Sequence, residues 1–160
     1  MTASKPTADT AASTPAPRVT IVGPFHPHRG GIVHYSTCLA RALKEQGCEL
    51  QLIGYRRLYP RLLFPGRTEF DCDSGPEDIQ ADRTMTAVNP VRWWRALRKI
   101  DSFDPDLVLF PWWHSFLFPA TTAMTIWLRY IQKRRVALLC HNLRSHDRAL
   151  ADRVAWRLLG

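Results

Sequence analysis

The feature that most restricts the fold is an alternation of two hydrophobic periods along the chain. Val19-Thr20-Ile21-Val22 is a short β-branched run that stops at Gly23-Pro24, and Asp106–Phe110 is a second run behind the turn Asp104-Pro105. Glu49–Ile53, ending at Gly54, Arg83–Val88 and Arg135–Cys140 read the same way. Runs this short and this apolar fit strands covered on both sides, as in a parallel sheet. Between them the spacing becomes helical. Ile32, Tyr35, Leu39, Ala42 and Leu43 fall on one helical face that Gly47 closes. Pro90 opens a second helix with Trp93, Leu97 and Ile100 at core spacing, and Pro119–Gln132 reads as a third, apolar one. Ser145 can cap a last helix carrying Leu150, Val154 and Leu158. Strands that alternate with helices imply right-handed crossovers, hence an α/β fold with a Rossmann-like parallel sheet and helices on both faces.

With 160 residues the chain is one domain of ordinary size. Residues 1–17 are Thr, Ala, Ser and Pro with little apolar content, so a disordered tail is expected before a domain over 18–160. No apolar core of a secretory signal occurs there. From Tyr55 to about Asp82 no period holds; the stretch reads as a long functional loop or as one containing a short strand that cannot be placed. The apolar stretch Phe110–Leu128 contains Pro111, His114, Ser115 and Pro119, which favours a buried strand, loop and helix over a membrane span. The cysteines, at 38, 48, 72 and 140, form no CxxC pair. Reduced, partly buried thiols in a cytoplasmic protein are therefore expected, with no metal site.

In open α/β sheets ligands bind beyond the carboxyl ends of the strands, and three such ends carry unusual residues. Gly30-Gly31 precedes the first helix. Two glycines there let a diphosphate approach bare backbone N–H groups, although a turn needing positive φ explains them as well. No Walker or dinucleotide fingerprint is present, so no cofactor is expected. Pro111-Trp112-Trp113-His114 follows the strongest strand, where His114 is either structural or a proton-transfer group. The third end is Cys140-His141-Asn142, followed by Ser145-His146-Asp147, whose His-Asp pair lacks the further ligands of a metal hydrolase. His26 and His28 flank a proline in the first loop, and a solvated position is expected for His28.

The ordered set of Val19–Phe25, Gly30–Tyr35, Leu39–Leu43, Asp104–Phe110 with His114 beyond it, and Cys140–Asn142 with Ser145–Asp147 resembles the opening of family 4 retaining glycosyltransferases of the GT-B type. The match covers the N-terminal, acceptor-side domain only. The resemblance implies that Gly30 and Gly31 lie against the donor diphosphate, that the catalytic residue His114 faces the transferred sugar, and that His141 and Asn142 line the cleft. It implies a nucleotide-sugar donor and a glycan or lipid-linked acceptor. The Arg and Lys pair and paired glutamates of the family's donor domain have no counterpart here. The chain is then a fragment, a split gene or a remnant, and incomplete as a transferase.

The net charge of +8 and pI near 9.9 direct the chain to anions. Nucleic-acid motifs are absent, which excludes that partner class here. The alternative class is a non-catalytic module on an anionic membrane surface, peripheral on its inner face. Tyr55–Arg67 interleaves Arg56, Arg57, Arg61 and Arg67 with aromatic and aliphatic residues and would seat there, unless it packs on its own domain. Arg92, Arg95, Arg98 and Lys99 read as a solvated helix face opposite Trp93 and Leu97.

Overall fold

The computed structural model describes residues 15–57 and 79–141. Five parallel strands form one sheet in the order β3-β2-β1-β4-β5. They are β1 (Arg18–Gly23), β2 (Glu49–Arg57), β3 (Asp82–Thr86), β4 (Leu107–Trp112) and β5 (Arg135–Cys140). Helix α1 (Gly31–Glu45) joins β1 to β2, and α2 (Pro90–Phe103) joins β3 to β4. Helix α3 (Phe118–Ile126) follows a short 3₁₀ turn and widens into a π-helical turn at Trp127–Ile131 before β5. The α/β fold class read from the sequence is therefore the observed one.

Both faces of the central strands are apolar because both are covered. Val22, Val108 and Phe110 pack with Ala96, Leu97 and Ile100 of α2 and with Ala120, Met124 and Leu128 of the α3 segment. The alternate residues Val19, Ile21 and Leu109 pack with Ala40 and Leu39 of α1. The period of two thus sends successive side chains of one strand into different cores. Helix α2 starts where Asn89 Oδ1 accepts the Val91 and Arg92 N–H groups at 3.0 and 3.4 Å, with Pro90 in its first turn. Gly47, at φ 83°, ends α1 in the left-handed region that glycine favours.

Three local expectations need correction. Gly54 does not end β2, which continues through Arg57. A Cβ at Gly54 would lie 3.2 Å from Ala81 Cβ, so this glycine serves a close approach inside the strand. Strand β4 likewise runs on through Pro111-Trp112. Its pairing with β1 spans only Val19–Ile21 against Leu107–Leu109, so Pro111 lies beyond the stretch where β1 pairs. In α1 the buried residues are Val33, Ser36, Thr37 and Ala40, while Tyr35 is turned outward and is 42% exposed. Small residues on the inner face let the helix lie close to β1, which rotates the aromatic ring out. The expectations for residues 1–14, for Leu58–Arg67, and for Asn142, His146, Asp147 and the last helix lie outside the described residues.

Candidate functional site at the carboxyl end of the sheet

Chain order along the sheet reverses between β1 and β4: α1 covers one face, while α2 and α3 cover the other. The loops that leave β1 and β4 therefore diverge and open a crevice at the carboxyl ends, where open α/β sheets bind ligands. The residues that stand at these ends are the loop from Pro24 to Gly30, the first turn of α1, Trp113-His114 and His141 after β5.

The glycine pair is at the α1 N-terminus, as the sequence indicates. Gly30 is the N-cap at φ 123°, a conformation that side-chain-bearing residues rarely adopt, so the turn reading of this glycine holds. No side chain caps the helix and no acid lies in its first turn. The first intrahelical bond runs from His34 N–H to the Gly30 carbonyl, 3.2 Å, which leaves the N–H groups of Gly31, Ile32 and Val33 outside the helical ladder. A Cβ at Gly30 or Gly31 would meet nothing within 4 Å, so no other residue packs on the side-chain position of either glycine.

His141 follows β5 and is tied to the end of β4 by its N–H to the Trp112 carbonyl, 2.9 Å. Its ring meets the outward Tyr35 edge-on, with centroids 4.5 Å apart. This contact joins the end of β5 to α1 across the crevice. The Nε2 of His141 and the Oγ of the fully buried Ser36 have no hydrogen-bond partner among the described residues. Ser36 Oγ lies 3.5 Å from where a Gly23 Cβ would stand, and Pro111 Cγ lies 3.0 Å from it. Gly23 therefore admits the serine and the proline side by side at the end of β1. His114 is exposed, and its Nδ1 accepts the Phe116 N–H at 3.1 Å. A neutral ring held this way carries its proton on Nε2.

His28 corrects the expectation of a solvated loop residue. It is 3% exposed, and its Nε2–H donates to the Tyr55 carbonyl at 2.6 Å, fastening the β1 loop to β2. Tyr55 is itself buried, which pushes its phenol far above the usual range. Partial desolvation by its neighbours raises the Cys140 thiol, although the residue itself is exposed. Cys38 and Cys140 are exposed rather than partly buried, and Cys38 Sγ lies 3.6 Å from His34 Nε2 one helical turn back. The sequence signal that His28 could have offered, a histidine among prolines, is the same one that suggests solvent. Among the described residues no group of three or more His, Cys, Asp or Glu could hold a metal, and no helix is long and apolar enough to cross a membrane.

No family model matches the chain, and no curated protein does. Among solved structures it is similar to a family 3 carbohydrate esterase of Clostridium thermocellum, with 15% identity over 90% of this chain and 69% of that one and a TM-score of 0.44. A likeness at that level transfers no activity. The comparisons nevertheless overturn the glycosyltransferase resemblance, and with it the retaining sugar-transferase activity. No family model, curated protein or solved structure that matches the chain carries that family. The physical reason is plain in the motifs. Val19–Gly23 and Leu107–Phe110 are what any central parallel strand needs, and Gly30-Gly31 is what a strand-to-helix turn at positive φ needs. Their order along the chain follows from the fold.

Proposed function

We propose that the domain binds a small phosphate-bearing ligand in the crevice between the ends of β1 and β4. Gly30 and Gly31 admit the anion to the α1 N-terminus, and His141 and His114 contact it from the neighbouring strand ends. The observation that carries this reading is the coincidence of two features at the switch point of the sheet. One is a 15-residue helix with no side-chain cap, whose first N–H groups lie outside the helical ladder and whose two leading glycines would have open space around a Cβ. The other is the pair of buried polar atoms, Ser36 Oγ and His141 Nε2, without partners among the described residues. Buried polar atoms in native folds are nearly always bonded, so these two favour a missing polar occupant.

The chemistry favours an anion. The helix dipole adds positive potential at Gly31, no carboxylate opposes it in the first turn, and Arg29 and His34 flank it. An oxyanion can take the amide donors and a proton from His141 Nε2 together, and His114 Nε2–H supplies a further donor or a mobile proton. Asn142 belongs to the same proposal by its position after His141, outside the described residues.

The test is calorimetric titration of the full chain with inorganic pyrophosphate. Gly31→Asp places a carboxylate at the first helical position, where it favours the helix and opposes the anion. Binding at least about tenfold weaker, with unchanged or higher thermal stability, is expected from a repulsion worth about 1.4 kcal/mol or more. His141→Ala removes one bond to a charged group and should cost about 10- to 100-fold. Equal affinity in all three proteins overturns the reading.

A further inference from the structure

A second surface lies on the opposite face of the sheet from α1. Five of the large apolar side chains that the fold leaves exposed lie on α2 and on the α3 segment: Val91, Trp94, Ile126, Tyr130 and Ile131. The two segments touch, which brings Trp94 and Ile131 together and leaves Val91, Ile126 and Tyr130 on the same two segments. Trp94 and Trp127 meet edge-on at 5.1 Å, and a shallow hollow lined by Trp94, Leu97, Arg98, Asp101, Trp127, Ile131 and Gln132 runs between them.

The charge around this patch is predominantly positive. The sequence has no acidic residue from Asn89 to Ile100 and none between Asp106 and Asp147. The nearest acids, Asp101 and Asp104, both engage Arg134, and Asp82 engages Lys99. Among the described residues that leaves Arg95, Arg98, Arg129 and Lys133 with no ion pair, all exposed beside the apolar patch. Arg83, Arg92, Arg95, Arg98 and Lys99 also border an open groove over Thr84 next to β3. Such a face is costly for a protein to leave in water, since its apolar part is not dispersed and its cations repel one another.

We infer that the α2–α3 face docks on an anionic membrane surface, with Trp94 and Tyr130 at the headgroup level and Arg95, Arg98, Arg129 and Lys133 on the phosphates. Tryptophan and tyrosine favour that interface because one end of each ring is apolar and the other is wet. Unpaired cations around them match an acidic lipid surface better than a second copy of this basic chain, which would bring like charge against like charge. This assigns contact to α2, which the sequence presents as a merely solvated face, and it is independent of the crevice behind α1.

The test is co-sedimentation of the full chain with phosphatidylcholine vesicles, with and without phosphatidylglycerol. Wild type should bind only the acidic vesicles and release in about 0.5 M salt, where the Debye length falls below about 5 Å. Each basic residue near such a surface is worth about fivefold in partitioning, so Arg95→Glu/Arg98→Glu should bind at least about 25-fold more weakly. Trp94→Ser should also weaken binding. Both variants alter exposed side chains, and circular dichroism checks their folding. Arg56→Glu/Arg57→Glu, on the exposed end of β2, should bind as wild type does. Absence of wild-type binding, retention by the Arg95/Arg98 variant, or an equal loss in the Arg56/Arg57 variant overturns the inference. So does a loss of free pyrophosphate binding in the Arg95/Arg98 variant with vesicle binding intact.

Discussion

Replacing His28 by alanine tests whether the loop that borders the crevice is fixed from within. The imidazole is 3% exposed and donates to the Tyr55 carbonyl at 2.6 Å. Removing it leaves a carbonyl without that donor in a buried setting, at about 1–3 kcal/mol. Loss of the packed ring adds about 1–2 kcal/mol, with the cavity only partly relaxed. A total near 3 kcal/mol is expected. For a domain of this size, each kcal/mol lowers Tm by about 2–4 °C. Thermal unfolding followed by circular dichroism should therefore place His28→Ala about 6–12 °C below wild type. His28→Gln, which carries an N–H donor to nearly the same reach, should recover part of the loss. A Tm within about 2 °C of wild type would refute the reasoning and return His28 to the solvated role that the sequence suggests.

Gly23→Ala puts a Cβ 3.0 Å from Pro111 Cγ and 3.3 Å from its Cδ, on a ring that cannot swing away. Overpacking of about 1–3 kcal/mol outweighs the roughly 0.4–1 kcal/mol gained in the unfolded chain, so the urea midpoint should fall. Asn89→Ala removes the cap that accepts the Val91 and Arg92 N–H groups and should cost about 1 kcal/mol in the same assay. At Asp82, burial alone would raise the carboxyl pKa, but hydrogen bonds from Lys99 and Thr84 and the Lys99 charge hold it below the usual value. A depressed folded pKa adds stability above the unfolded value of about 3.9, which is lost as pH falls through the folded one. The stability gap between wild type and Asp82→Asn should therefore be constant at neutral pH and close in acid; a gap that widens below pH 4 would contradict the assignment.

Much of the fold was legible because the sheet buries both faces of β1 and β4. Val19–Val22 and Leu107–Phe110 have no solvent-facing side to confuse the period, and Asn89-Pro90 and Gly47 mark helix ends by stereochemistry that needs no tertiary context. The errors arose where packing overrides local pattern. Gly54 looks like a strand end but is a point of contact with Ala81. The apolar stripe through Ile32 and Tyr35 lost to the small residues Ser36, Thr37 and Ala40, because a close helix-to-sheet distance favours them. The site shows the same division. Gly30-Gly31, His114 and His141 could be read as strand-end residues from chain position alone. That Tyr35 meets His141, that Ser36 Oγ lacks a partner and that His28 reaches Tyr55 depend on residues far apart in sequence. Short motifs set by the fold are a poor guide to family, and here they pointed to the wrong one.

The claim that the switch-point crevice takes an anion is tested most directly by backbone amide NMR of the full chain titrated with inorganic pyrophosphate. The account predicts saturable shifts largest at Gly31, Ile32 and Val33, the amides outside the helical ladder, together with movement of the His141 and His114 ring signals. Shifts confined to Arg95, Arg98 and Lys99 around the groove on the other face, or no saturable shift at millimolar pyrophosphate, would contradict it.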